Sequence, residues 1–222
     1  DEIRGDCSDL PNIIIGGPPC QGFSIAGPAQ KSPKDPRNNL FQDFARWVEC
    51  LNPQVFVMEN VKGLLSRRNS NGEEVIDIIL KTFIHLGYSV EVWLLNGAEY
   101  GVPQVRERIF IVGNRVGVEK IEPPPKTHSV SEEKTSNAQI RLFKDCDGLL
   151  PAVSLWDAIS DLPKLEAGEG EEEQSYTISP NTEYQCWARG EQEKLFNHVA
   201  MQHSKRLVER FKHIGWGKSS SD

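Results

Sequence analysis

Residues 13–24 read Ile-Ile-Ile-Gly-Gly-Pro-Pro-Cys-Gln-Gly-Phe-Ser, and this stretch decides the fold. Three consecutive isoleucines predict a strand buried on both faces, as in a parallel sheet covered by helices. The Gly-Gly-Pro-Pro run ends that strand, because proline cannot donate to a β-ladder and glycine permits a sharp exit. Ligands of open α/β sheets bind beyond the carboxyl ends of the strands. We therefore predict that Cys20, the first reactive side chain past the break, is a nucleophile rather than a buried structural thiol.

A second buried strand follows after a helix. Apolar residues between Leu40 and Leu51 recur at helical spacing and predict a helix docked on the sheet. The run Val55–Met58 then predicts a strand that finishes at Glu59-Asn60-Val61. Strand–helix–strand connections place the two strands side by side or one apart. Cys20 and Glu59 are therefore expected at the same edge of the sheet.

An antiparallel hairpin is predicted next. A periodic helix over Glu73–Leu86 is closed by a glycine cap, and strands over Tyr88–Leu95 and Ile109–Val112 are expected to pair at the sheet edge. Between these strands, polar residues recur at a period of two, which would put them on one face of an extended chain. They are Gln104, Arg106 and Arg108.

The second half of the chain carries weaker signals. Residues 119–151 look loop-like, short capped helices are predicted over Ser154–Leu162 and Ser204–Ile214, and the acidic run Glu166–Glu173 is expected to be solvated. We expect two domains, a core over residues 1–118 and an extension over residues 119–222.

Composition narrows the class of protein. The 5 cysteines are odd in number and form no Cys-x-x-Cys pair, which argues against a disulfide framework and a zinc site and favours an intracellular compartment. No apolar run is long enough to span a membrane. The histidines 198 and 203 fit no standard metal spacing, so no metal is expected. The net charge of −7 is unevenly spread, with six Lys or Arg against one Glu between Lys194 and Lys218, and is neutral evidence about a DNA partner.

Three of these segments together resemble the cytosine-5 DNA methyltransferases. The residues are Gly-Gly-Pro-Pro-Cys-Gln-Gly-Phe-Ser at 16–24, Glu-Asn-Val at 59–61 and Gln-x-Arg-x-Arg at 104–108, in the order of the family's motifs. The resemblance runs motif by motif from about Asp6 to Gly113, and weakly as far as Lys218. It implies an α/β, Rossmann-like S-adenosylmethionine-dependent methyltransferase sheet, with parallel strands and an antiparallel edge hairpin, of which this chain carries part.

The resemblance also implies an activity, which is methyl transfer from S-adenosylmethionine to C5 of cytosine in double-stranded DNA. In this scheme Cys20 adds to C6 of the base and Glu59 shares a proton with N3. Arg108 holds O2, while Arg106 orders the site or meets a phosphate. A base inside a duplex cannot be reached in this way, so it must be flipped out of the helix.

Further residues are assigned by the same resemblance. Cofactor-binding positions are Asp6, expected to bond the adenine amino group, together with Pro19 and Leu40. Substrate-binding positions are Gln21, Ser24, Asn60 and Gln104. The protein would work in the cytoplasm of a prokaryote, within restriction-modification, or in the nucleus of a eukaryote.

Two departures from the family pattern shape the expectations for the isolated chain. The Gly-rich cofactor loop expected before Asp6 is absent from the sequence, and the chain stops near where the target-recognition region would begin. We therefore expect the isolated chain to be inactive, and to self-associate through an exposed sheet edge or to need a complementary N-terminal fragment.

Three alternatives remain open. One is a tRNA cytosine-5 methyltransferase of the same family, and another is a non-catalytic or complementation-dependent DNA-binding fragment. A cysteine peptidase or acyl-transfer enzyme would need a histidine oriented near Cys20. His85 falls inside a helical pattern, and the other histidines lie beyond the hairpin.

Overall fold

The computed structural model describes residues 11–18, 40–69, 71–130 and 148–214. The first half of the chain contains four strands and two α-helices. They are β1 (Ile13–Gly16), α1 (Leu40–Leu51), β2 (Val55–Val61), α2 (Val75–His85), β3 (Tyr88–Asn96) and β4 (Glu107–Arg115). Short 3-10 helices cover Lys62–Ser66 and Gly97–Tyr100. The predicted site residues at positions 6, 19, 20, 21 and 24 lie outside the described residues.

The four strands form one mixed sheet in the order β1-β2-β4-β3. Strands β1 and β2 are parallel, with Ile14 opposite Phe56, and β4 runs antiparallel to both β2 and β3. The predicted combination of parallel strands with an antiparallel edge hairpin is confirmed. The second strand of the hairpin lies between β2 and β3, so β2 is paired on both sides and continues through Glu59 to Val61.

Both helices pack on one face of the sheet. In β2 the buried residues on this face are Phe56, Met58 and Asn60, and they alternate with Val57, Glu59 and Val61, which are half-buried on the other face. An aromatic cluster fills the core, since the ring of Phe56 lies 4.1 Å from that of Phe83 and 5.2 Å from that of Tyr88. Opposite Phe56 the sheet carries Gly113, where a methyl group would lie 2.0 Å from the Phe56 ring. Glycine is therefore required there by packing.

Helix α1 forms where its apolar spacing predicts. Its buried residues are Phe41, Phe44, Ala45 and Val48. The helical spacing also predicts Trp47 on the packed face, but this residue lies at the flank of the stripe and is 46% exposed. The helix comes so close to β1 that a methyl group on Gly16 would lie 2.6 Å from the Phe44 ring. Close approach, rather than a positive φ, is thus what demands glycine at this position.

The remaining chain forms a second compact unit. Contacts divide the chain between Ala152 and Val153, and the predicted boundary after residue 118 falls inside the first unit. The reason is that residues 126–128 are tied to the turn at 97–101, for example by Thr127 N donating to Glu99 O at 3.0 Å. The first unit therefore also contains the two-residue parallel strands β5 (His128–Ser129) and β6 (Leu150–Pro151).

The second unit contains α3 (Leu155–Ile159), β7 (Gly170–Ser175), α4 (Glu183–Arg189), β8 (Lys194–Val199) and α5 (Lys205–Lys212). The predicted serine caps of α3 and α5 are confirmed. The acidic run is not merely solvated, because part of it forms β7, paired antiparallel with β8. The buried centre of the second unit is polar, because the side chain of Gln185 donates to Asp157 O at 3.0 Å and to Ser160 Oγ at 2.8 Å. None of the described helices is long and apolar enough to cross a membrane.

Candidate active site

An ion pair joins the end of β2 to the start of β4. Arg108 Nε lies 3.0 Å from Glu59 Oε1, and the two side chains are 23% and 41% exposed. In the antiparallel register Glu59 stands opposite Phe110 and Val61 opposite Arg108, so Glu59 and Arg108 are diagonal neighbours on one face. That face is the one opposite α1 and α2. The structure thus brings together two of the predicted catalytic residues.

Arg108 is held from a second direction. Its NH1 group donates to Glu107 O at 2.8 Å, which orients the planar guanidinium beside the Glu59 carboxylate. A neighbouring ion pair joins Lys62 Nζ to both carboxylate oxygens of Glu107, at 2.9 and 2.8 Å. Lys62 therefore neutralises the acidic residue that stands between Arg106 and Arg108.

The end of β1 lies beside Glu59. Strand β1 pairs in parallel with β2 as far as Gly16 opposite Met58. At the next residue, a methyl group on Gly17 would lie 3.4 Å from Glu59 Oε2. Gly17, the first residue after β1, therefore lies beside the Glu59 carboxylate. The position of Cys20 relative to this pair stays a prediction.

Asn60 takes a different position from Glu59. It is 4% exposed and points to the face covered by the helices, where its Oδ1 accepts a hydrogen bond from Val61 N at 2.9 Å. Among the described residues, its amide is thus placed with the core rather than with the Glu59–Arg108 pair. A role for Asn60 in substrate binding stays a prediction.

Gln104 and Arg106 lie in a turn. Strand β4 begins only at Glu107, so the prediction of one extended face for Gln104, Arg106 and Arg108 is wrong. The chain at 97–106 folds back on itself instead, with Gly97 N donating to Arg106 O at 3.1 Å. The side chains of Gln104 and Arg106 are both exposed. Arg108 alone of the three lies on the strand.

Sequence reasoning missed the residue that closes this turn. Asn96 Oδ1 accepts hydrogen bonds from both Ala98 N and Arg106 N. An asparagine followed by glycine after a strand is a signal for such a cap, and could have been noticed. Of the three predicted cofactor residues the structure describes Leu40, which is half-buried at the first position of α1.

The described residues contain no group of three His, Cys, Asp or Glu side chains that could hold a metal ion. His198 Nε2 lies 2.8 Å from Pro163 O, and the His203 ring packs edge-on against Phe211 at 5.6 Å. Both histidines thus have local packing roles in the second unit.

Comparison with known proteins adds the family. The model of the C-5 cytosine-specific DNA methylases matches residues 1–214. The chain belongs to this family. Among its family relatives, Type II methyltransferase M.DdeI of Desulfomicrobium norvegicum is 44% identical over 98% of the chain and 48% of the relative. Type II methyltransferase M.AgeI of Thalassovita gelatinovora is 39% identical over 90% of the chain and 47% of the relative. The chain thus spans about half the length of these two methylases.

A solved structure agrees on the fold of this methylase chain. A DNA modification methyltransferase encoded within an E. coli prophage superposes with a TM-score of 0.63 at 21% identity. The match covers 99% of the chain and 59% of that structure. At this identity the likeness concerns the fold alone.

Proposed function

We propose that the protein carrying this chain transfers a methyl group from S-adenosylmethionine to C5 of cytosine in DNA, through a covalent bond between Cys20 and C6. The observation that carries the proposal is the Glu59–Arg108 pair, with Nε and Oε1 3.0 Å apart, beside the end of β1. Covalent geometry keeps the Cα of Cys20 within about 11 Å of that of Gly17. This span allows the nucleophile and the pair to meet one bound base, which is the arrangement that we propose.

The chemistry begins with the thiol. A free cysteine has a pKa of about 8.5, so only a few per cent is thiolate at neutral pH and the site must favour attack. As sulfur bonds to C6, negative charge develops on the ring. Glu59 shares a proton with N3 and Arg108 donates to O2, so that both neutralise this charge. Carbon C5 then attacks the methyl carbon, and loss of the C5 proton expels the thiolate and restores the ring.

S-adenosylmethionine supplies the methyl group as a sulfonium, which leaves as a neutral thioether. Asp6, Pro19 and Leu40 would hold it. Of these three residues the structure describes Leu40, whose side chain can make an apolar contact with the cofactor. Leu40 is half-buried at the start of α1, and the next residue, Phe41, belongs to the core. The cofactor would therefore lie where α1 begins, close to the sheet edge that carries the thiol segment.

The DNA partner is proposed from the family and from the surface of the turn. Gln104 and Arg106 are exposed beside Arg108, where they can meet a phosphate or an orphaned partner base. Gln21 and Ser24 would contribute from the segment after the nucleophile. The target base leaves the duplex to enter the site. Because the named relatives are Type II methyltransferases, we assign the protein to DNA modification inside the cell, within restriction-modification.

We also propose that the 222 residues alone need a partner segment. In the described sheet β1 is an edge strand, with Ile13 54% and Ile15 76% exposed, so the prediction of a strand buried on both faces is wrong for these two residues. An apolar edge with unpaired backbone groups favours pairing with another strand. A complementary N-terminal segment or a second copy of the chain would satisfy it.

Trapping of the covalent adduct tests the proposed function. The full gene product is incubated with S-adenosylmethionine and duplex DNA carrying 5-fluorocytosine at the target base. Fluorine cannot leave as a proton does, so a denaturant-resistant adduct should accumulate after methyl transfer. Cys20→Ser should abolish it because an alcohol is far less acidic than a thiol. Cys186→Ser, at an exposed cysteine of α4, is the matched control and should react normally. An undiminished adduct with Cys20→Ser would disprove the assignment.

A further inference from the structure

One side-chain oxygen joins the two ends of the turn that leads to Arg108. Asn96 is the last residue of β3, and its Oδ1 accepts from Ala98 N at 3.2 Å and from Arg106 N at 3.1 Å. A carbonyl oxygen has two lone pairs, so one amide satisfies both donors. Ala98 stands at the beginning of the turn and Arg106 at its end. The side chain of Asn96 therefore closes a loop of ten residues at its base.

The first half of the loop is held by backbone hydrogen bonds and by a neighbouring segment of the chain. Val102 N donates to Gly97 O at 3.1 Å, and Gly101 adopts a positive φ of 83°. A methyl group on Gly101 would lie 2.7 Å from the His128 ring, so the segment around His128 covers the loop closely. Lys126 Nζ also pairs with Glu99 Oε1 at 2.5 Å. The backbone of the loop is thus held by contacts with residues 126–128 and by the hydrogen bonds that Asn96 accepts where the loop begins and ends.

Within this fixed backbone two polar side chains stay exposed. They belong to Gln104 and Arg106. The main chain of Arg106 bonds in both directions, because its N–H donates to Asn96 Oδ1 and its C=O accepts from Gly97 N. Arg108 follows two residues later and is already aligned with Glu59. Any shift of the main chain at Arg106 therefore reaches both the exposed loop and the ion pair.

We propose that Asn96 is a positioning residue for the DNA-contacting loop 97–106. It acts through the main chain of Arg106 and sets where Gln104, Arg106 and Arg108 meet the flipped base and its strand. This inference rests on the proposed function. Misplacement of reacting groups by about 1 Å can cost 100-fold in rate, which is the scale on which a loosened loop acts.

Two variants and a matched control test the proposal in the full gene product. Asn96→Ala removes the acceptor, while Asn96→Asp keeps an oxygen for both N–H groups. Asn69→Ala makes the same change at another loop clamp, because Asn69 Oδ1 accepts from Asn71 N at 2.9 Å and Glu73 N at 3.0 Å. Rates of adduct formation on 5-fluorocytosine DNA, DNA affinity, and amide hydrogen exchange at Ala98 and Arg106 are measured for each.

We expect Asn96→Ala to slow adduct formation by about 10- to 100-fold. Its DNA affinity should change by about threefold or less, because most affinity comes from phosphate contacts. The amides of Ala98 and Arg106 should exchange at least about tenfold faster. Asn96→Asp should recover most of the rate and the protection. Asn69→Ala should react at close to the wild-type rate.

The result for the wild-type protein distinguishes a failure of the proposed function from a failure of the role proposed for Asn96. If it forms no adduct, the proposed function is wrong, and amide exchange then decides by itself whether Asn96 closes the loop. If the wild type reacts and Asn96→Ala reacts equally fast, Asn96 is not a positioning residue, although the proposed function stands. A rate loss that Asn96→Asp fails to recover, or that Asn69→Ala shares, would also overturn the inference.

Discussion

Glu59 and Arg108 form an ion pair that stands half in solvent. Pairs of this kind contribute about 1 kcal/mol or less to stability, since solvent screens the attraction and two side chains must be ordered. The main effect of the pair is to orient the guanidinium of Arg108. Arg108 is fixed by Glu59 Oε1 at 3.0 Å and by Glu107 O at 2.8 Å, so its guanidinium is oriented before any base arrives. Donors that need no reorganisation act most strongly on developing charge.

Replacement of Glu59 tests this assignment. Glu59→Gln keeps the size and some hydrogen bonding of the side chain but cannot supply a carboxyl proton. We expect turnover of the full gene product to fall by about 100-fold or more. DNA binding should change much less, because phosphate contacts supply most of the affinity. Methyl incorporation and gel-shift affinity give the two readouts.

The neighbouring ion pair offers a matched control for Glu59→Gln. Glu107→Gln makes the same chemical change in the exposed pair with Lys62, whose side chains are 40% and 53% exposed. The backbone carbonyl of Glu107, which orients Arg108, is retained. Turnover should stay within about threefold of wild type. If Glu59→Gln loses turnover and DNA binding equally, Glu59 is a structural residue.

Among the elements, β3 is anchored through its first residue. Tyr88 is 3% exposed, and its hydroxyl donates to Pro53 O, in the turn after α1, at 2.7 Å. Its ring also packs against Phe56 in the aromatic cluster. One side chain thus joins β3, the centre of the sheet and the connection from α1 to β2.

Removal of this hydroxyl should destabilise the fold in a pH-dependent way. Tyr88→Phe leaves Pro53 O buried without a donor and should lower the free energy of unfolding by about 1–3 kcal/mol. Burial raises the pKa of Tyr88, an effect that the charge of Arg115 partly offsets. The folded state therefore retains the phenol proton more tightly. Its contribution is complete below the unfolded pKa of about 10 and is lost as pH rises through the folded pKa.

Urea unfolding at neutral pH and above pH 10 measures this effect. The gap between wild type and Tyr88→Phe should narrow at high pH, because only the wild type must ionise a buried phenol. Tyr100→Phe is the control, since its exposed hydroxyl donates to Pro124 O at 3.1 Å. We expect it to stay within about 0.5 kcal/mol of wild type. Equal losses in both variants would contradict the role of burial.

Elements with strong local signals were predictable from the sequence. The apolar stripe of α1, the glycine after α2 and the serine caps of α3 and α5 each specify their element through near neighbours in the chain. Strand β7 carries no such signal, because Glu171–Glu173 lacks any apolar alternation. It forms by pairing with β8, and Glu173 makes an ion pair with Lys194. This long-range contact cannot be predicted from the sequence of either segment alone.

The site was predictable to a similar extent. Motif order indicated that Glu59 and Arg108 belong together, and the strand register then places them as diagonal neighbours. The position of Gln104 and Arg106 could not be read from a period of two, because Asn96 folds the intervening chain into a turn. Residues whose placement depends on strand alternation were thus predictable, and those that depend on loop closure were not.

At the scale of the whole molecule, the open side of β1 is the feature with the largest consequence. No strand among the described residues pairs with its outer edge, and Ile15 is 76% exposed on the sheet face opposite the helices. Lysine is among the residues by which natural proteins block such edges, and a strand of three isoleucines and a glycine has none. Strand β7 of the second unit shows a contrasting composition, because it carries three consecutive glutamates.

We therefore expect residues 1–222, expressed alone, to self-associate and to bind S-adenosylmethionine weakly. Ile15→Lys should shift the chain towards monomer, because a charge on the edge opposes strand pairing while Ile15 contributes little to the core. Ile84→Lys is the matched control, since Ile84 is 58% exposed on α2, away from this edge. Sedimentation gives the oligomeric state, and calorimetry gives the cofactor affinity. Supply of a strand-forming segment that pairs with β1 should restore a monodisperse complex, because it would satisfy the unpaired backbone groups of that edge. Micromolar S-adenosylmethionine binding by a monomer of the 222 residues would show that the open edge is no barrier to function.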